Sequence, residues 1–137
     1  MDGRKRNSVI RLLISAILWI ILLIFPAHAG KYNEAYFTNL IATKHIIGKQ
    51  EHKLPNRKRV DILSKEYAYE VDWISKAWSE GVGQSLHYAQ MTNKKPGVIV
   101  LIDKPHKADL KALLDTAKLY NIKVHIFYVD KKKGTIK

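Results

Sequence analysis

The chain has 137 residues, enough for one modest domain. It carries 24 Lys and Arg against 12 Asp and Glu, and no cysteine. The missing cysteine excludes disulfides, thiolate catalysis and a cysteine-based zinc site. The basic excess favours a polyanionic partner such as nucleic acid, an anionic lipid surface or an acidic polysaccharide, with plain solubility as the bland alternative.

Residues 1–29 read as a signal peptide rather than as part of the domain. Arg4, Lys5, Arg6 and Arg11 form a basic start, residues 12–25 form an apolar run of 14, and Ala27-His28-Ala29 resembles a cleavage site. An uncleaved membrane anchor is the alternative, although a spanning helix needs roughly 20 apolar residues. Either reading puts the domain, residues 30–137, outside the cytoplasm: secreted or periplasmic, or anchored on the outer face of a membrane. Without Asp2 and those four basic residues the domain keeps 20 basic against 11 acidic residues.

The next segment, 33–47, has apolar residues at helical spacing, with Asn33 as N-cap and Gly48 closing the helix. Gln50–Leu54 is a short strand candidate, and Pro55–Lys58 a turn. RVDIL and YAYEVDW then read as two strands joined by a tight turn at 64–66. Ser75–Thr92 is expected to be a helix with Lys76, Glu80, Gly83, Gln84 and His87 on one face and Trp78, Val82, Leu86 and Ala89 on the opposite one. Asn93–Gly97 reads as a loop, and VIVLI (98–102) as a strand buried on both faces. A helix from beyond Pro105 to about Tyr120, a strand at 123–129 and a frayed basic tail complete the chain. The expected fold is α/β, a mixed sheet flanked by helices in the order α-β-β-β-α-β-α-β.

Acidic residues are poor strand formers and costly to bury unpaired, yet Asp61, Glu70 and Asp72 stand in the two strands of the hairpin. Glu70 and Asp72 are two apart and so share a face of the sheet. Three carboxylates on adjoining strands repel one another unless a cation neutralises them. Oxygen-only ligands of this kind suit Mg²⁺, or Mn²⁺, which completes its shell with waters and substrate phosphate. For each residue a plainer role is open: Asp61 as the partner of Arg57 or Arg59, Glu70 and Asp72 as a solvated strand face, Lys76 and Glu80 as an ordinary helix pair. Trp73 and Trp78 fit core or rim positions better than base-stacking platforms. Arg57, Lys58 and Arg59 at the hairpin tip could track phosphates or form a solvated turn.

Asp61, eight residues, Glu70-Val71-Asp72 and then GQSLHYA at 83–89 together resemble the PD-(D/E)XK nuclease superfamily, whose fold is the restriction-endonuclease-like one. The resemblance runs from about Asn33 to Val129. It implies a metal-dependent nuclease hydrolysing phosphodiester bonds of DNA or RNA, with Asp61 and Glu70 as metal ligands. Glu51 resembles an additional acid used in some branches, and Gln84 with Tyr88 (or His87) resembles a Gln-x-x-x-Tyr element on the helix. Two positions depart from the pattern. Val60 stands where the family has proline, and Asp72 stands where it has the lysine that positions or activates the attacking water. Lys76, one turn further on, is the expected substitute, with Asp72 as a further ligand or supporting acid. If no lysine reaches the site, the implied alternative is an inactive nuclease fold serving as a binding module. A basic exported domain that docks on anionic envelope polymers is a third reading.

Overall fold

The computed structural model describes residues 32–75 and 78–137. The leader-like segment and Lys76 lie outside the described residues. The elements are α1 (Glu34–Lys44), β1 (Lys49–Lys53), β2 (Arg59–Leu63), β3 (Tyr67–Trp73), α2 (Trp78–Thr92), β4 (Lys95–Ile102), α3 (Lys107–Leu119), β5 (Lys123–Asp130) and β6 (Thr135–Ile136). The fold is α/β in the expected order, with one short strand added at the end. A six-stranded mixed sheet runs β1-β2-β3-β4-β5-β6. Its first three strands form an antiparallel meander, and β3, β4 and β5 are parallel. The two parallel connections pass through α2 and α3, as parallel strands require a crossover.

Alternation along the strands sorts side chains between two layers. Tyr69, Val71 and Trp73 of β3 and Ile99 and Leu101 of β4 pack with Phe37, Ile41 and Ala42 of α1. Val98, Val100 and Ile102 of β4 pack with Val82 of α2 and Leu113 and Ala117 of α3. The run 98–102 is therefore buried on both faces, as its continuous apolar character predicts. Each fully buried Ile or Leu here contributes about 1.5–3 kcal/mol. Trp73 is a core residue, edge-on to Phe37.

Local signals explain most element ends. The Asn33 side chain accepts from the Tyr36 N–H at 3.0 Å and caps α1. Gly48 does not close that helix, whose C-cap is His45. It opens the path into β1, where a Cβ would lie 2.7 Å from Ile62 Cγ2. β4 begins at Lys95, not Val98, so the expected loop 93–97 is mostly strand. Gly97 is needed there for close packing: a Cβ would stand 2.3 Å from the Tyr69 ring. The expected frayed tail instead returns as β6, pairing Ile136 with Val129 and Thr135 with Asp130. In α2 the expected separation of faces holds only in part. Val82 and Ala89 are buried, but so are Gly81, Ser85 and Tyr88, and Gln84 and His87 lie on the boundary of that stripe.

The Tyr69 ring is buried and cannot swing away, so Gly97→Ala overpacks the sheet. Its expected cost is about 1–3 kcal/mol, read from the urea midpoint, with an unchanged midpoint contradicting this packing.

Candidate active site

The strands β2 and β3 pair over only two positions, Ile62 with Tyr69 and Leu63 with Ala68. Beyond them the strands part. The backbone N–H of Val71 donates instead to Asp61 Oδ2 at 2.8 Å, so a side chain takes over where the ladder stops. The backbone of β2 turns at the same place. In a regular strand Val60 and Ile62 would share a face. Here Val60 packs with Leu54, Ala68 and Tyr88, whereas Ile62 joins the α1 layer. Across from Asp61, Glu51 of β1 has φ 50°, in the left-handed region that a residue with a Cβ rarely adopts. Strain of this kind costs of order 1–3 kcal/mol and concentrates at functional sites.

The notch between the parted strands gathers the acids. Asp61 and Glu70 are half-buried and interact directly. Glu70 and Asp72 point to the α2 side, each with an atom within 4 Å of the point where Gly81 would carry a Cβ. A Cβ there would make ordinary van der Waals contact with them, so α2 lies close over the two acids without depending on glycine. Asp72 Oδ1 accepts from the Trp73 N–H at 2.8 Å. On the other side of Asp61 a cavity of about 190 Å³ is lined by Glu34, Ala35, Thr38, Gln50, Glu51 and Asp61. Arg59 does not reach Asp61; it pairs with Glu51 at 2.8 Å, where both side chains are more than half exposed. Such a pair contributes little to stability.

Electrostatics mark Asp61 and Glu70 as a unit. Burial raises the Asp61 carboxyl to about 6, opposed by the Val71 N–H and reinforced by the charges of Glu51 and Glu34. Burial raises Glu70 further, to about 9, helped by Asp61, Asp72 and Glu34. Burial and mutual repulsion thus favour a shared proton on the pair that two isolated carboxylates would have lost. Among the described residues Glu70 Oε2 is buried without a hydrogen-bond partner. An orphaned carboxylate oxygen in such a place costs about 1–3 kcal/mol or more unless something binds it.

Helix α2 supplies the polar rim. Buried Tyr88 donates its hydroxyl to Gln84 Oε1 at 3.4 Å, and Gln84 Nε2 donates to Glu80 Oε1 at 3.1 Å. Burial, then the charges of Glu70 and Asp61, push the Tyr88 hydroxyl up to about 12. Tyr88, not His87, is the member of the helix element that faces the acids. The Nε2 of His87 is bound by the Asn56 side chain at 2.8 Å.

The candidate site therefore brings together Asp61, Glu70, Asp72 and Tyr88, with Glu51 beside Asp61 and Gln84 joined to it through the Tyr88 hydroxyl. Nothing in the sequence singles out Glu34. One residue after an N-cap, an acid is ordinary helix-dipole compensation, and only the packing of α1 on β1 and β2 brings it to Asp61. A larger cavity, about 320 Å³, lies at the far ends of β4 and β5 among Ile102, Pro105, Leu110 and Tyr128. The buried acids do not line it. Among the described residues no helix is long and apolar enough to cross a membrane.

The proton shared by Asp61 and Glu70 has a consequence for stability. From about pH 4, where free carboxylates titrate, up through about 6 and 9, the folded state binds more protons than the unfolded chain. Stability in EDTA is therefore expected to be fully supported in acid and to fall as pH rises. Glu70→Gln should flatten that decline and leave the variant more stable than wild type at about pH 8. Urea titrations across this range test it, and an equally steep decline in the variant contradicts it.

No protein-family model, curated protein or solved structure matches this chain, so its own geometry carries the functional reading.

Proposed function

We propose that the chain is a Mg²⁺-dependent phosphodiesterase acting on nucleic acid, in the manner of the PD-(D/E)XK nucleases it resembles. The observation that supports this reading best is the half-buried Asp61–Glu70 pair, whose burial favours keeping a proton, with Glu70 Oε2 lacking a hydrogen-bond partner among the described residues. A divalent cation could replace that proton and bind that oxygen. Among the described residues no group of three or more His, Cys, Asp or Glu is gathered closely enough to cage a metal. Mg²⁺ does not need such a cage, because it binds through one or two carboxylates plus waters and substrate phosphate. The donors present, oxygen only, fit Mg²⁺ or Mn²⁺.

In this reading Asp61 and Glu70 hold the ion and Glu51 supports it from β1. A bound ion of this kind polarises the phosphoryl oxygen and lowers the pKa of a coordinated water. The rest of the work belongs to the chain. The Val71 N–H keeps Asp61 aimed into the notch. The Tyr88 hydroxyl and the Gln84 amide stand at the rim, able to orient a water or a phosphate oxygen. Asp72 cannot supply the positive charge that the family's lysine provides, so that role is assigned to Lys76, four residues later. The basic excess draws in a polyanion, and the leader-like N-terminus directs the activity outside the cytoplasm. The Asp72 exchange favours the second reading, an inactive nuclease fold that binds without cutting.

Asp61→Ala and Glu70→Ala are expected to lose Mg²⁺- or Mn²⁺-dependent cleavage of plasmid DNA or RNA entirely while keeping the wild-type circular dichroism spectrum. Lys76→Ala should reduce the rate by roughly 10²–10⁴-fold, the range for a group assisting proton transfer. Wild-type protein that cuts neither DNA nor RNA with either metal would contradict the catalytic reading and select the binding module.

A further inference from the structure

The turn between β1 and β2, Leu54–Lys58, carries features that the acid site does not use. It is held unusually firmly for a surface turn. The Leu54 N–H donates to Lys58 O at 2.8 Å, and the Arg57 N–H to Leu54 O at 3.0 Å. Leu54 itself is only 6% exposed and packs on Val60, Ala68 and Tyr88. The Asn56 side chain bridges outward. Its Oδ1 accepts from the Lys58 N–H at 3.1 Å, which leaves its Nδ2 to donate to His87 Nε2 at 2.8 Å. Two bolts therefore fix the turn to α2, the helix that covers the acids: Leu54 on Tyr88, and Asn56 on His87.

The turn is also positive without compensation. Lys53, Arg57 and Lys58 are exposed, and none of them forms an ion pair among the described residues. Arg57 has φ 67°, a conformation that glycine or asparagine adopts at less cost.

We infer that the Leu54–Lys58 turn is a preformed clamp for the sugar-phosphate backbone of the nucleic acid, with Arg57 and Lys58 gripping phosphates that flank the one at the Asp61–Glu70 notch. The notch's part in this rests on the nuclease reading above; the clamp rests on the turn itself. The guanidinium fork of Arg57 suits bidentate phosphate contact. A turn already rigid loses little entropy when it binds. Contacts of this kind position the strand and read no bases, so binding is expected to be independent of sequence. Asn56 and His87 act as positioning residues.

The test is fluorescence anisotropy of a short labelled DNA duplex with the full-length chain in EDTA, over a range of KCl concentrations. The Arg57→Ala/Lys58→Ala double variant should bind about ten-fold more weakly. Its slope of log affinity against log salt should shrink by about 1.8, near 0.9 for each phosphate that is no longer neutralised. His87→Ala should weaken binding several-fold, and His87→Gln, which restores an acceptor for Asn56, should recover it. Lys118→Ala on α3 should change nothing. An unchanged salt slope in the double variant overturns the clamp, as does binding to heparin or anionic vesicles with none to duplex. A shrunken slope together with a wild type that never cuts supports the clamp while sinking the catalytic reading.

Discussion

Two carboxyl groups forced to face each other in a half-dry notch are the constraint around which this molecule is arranged. Asp61 and Glu70 meet because the register of β2 on β3, Ile62 with Tyr69 and Leu63 with Ala68, sets them opposite each other. Where the pairing stops, the Asp61 side chain takes the next backbone donor, the Val71 N–H. Burial then raises both in pKa. The left-handed backbone at Glu51 and the buried Tyr88 lie at the same place. Several local departures from regular structure thus converge on one spot, while the two apolar layers on either side remain regular.

That concentration of cost is informative. A solvated strand face would need neither the left-handed backbone at Glu51 nor a half-buried carboxyl pair. Replacing the acids by apolar residues would relieve the burial penalty, and retained protonation offsets part of it. Under the proposed reading, hard oxygen donors, few in number, would suit a small divalent ion that retains waters. The basic excess of the chain would then supply a complementary field for a polyanion.

Much of this is legible in the residues, and the exceptions have physical causes. The meander, the buried run 98–102 and the shared face of Glu70 and Asp72 follow from period-two patterning. The Asn33 cap follows from side-chain chemistry. Gly48 and the 93–97 segment mislead because glycine and proline signal a break in local terms, whereas here glycine serves close packing against Ile62 and Tyr69. β6 escapes a sequence reading because a two-residue strand in a lysine-rich tail has no periodicity to detect. The parting of β2 from β3 has no local signal at all. Neither does the arrival of Glu34, which depends on how α1 lies across the sheet. The burial of Tyr88 is only half visible: hydropathy places the helix face roughly a quarter-turn off, because the buried Gly81 and Ser85 count as neutral in such a pattern.

The central claim is that Asp61 and Glu70 jointly hold a proton that a divalent ion displaces. It is tested most directly by isothermal titration calorimetry of the chain with Mg²⁺ near neutral pH, repeated in buffers of different ionisation enthalpy. The account predicts one binding event that releases about one proton, abolished in Asp61→Asn. Binding with no proton release, or an undiminished event in Asp61→Asn, would contradict it.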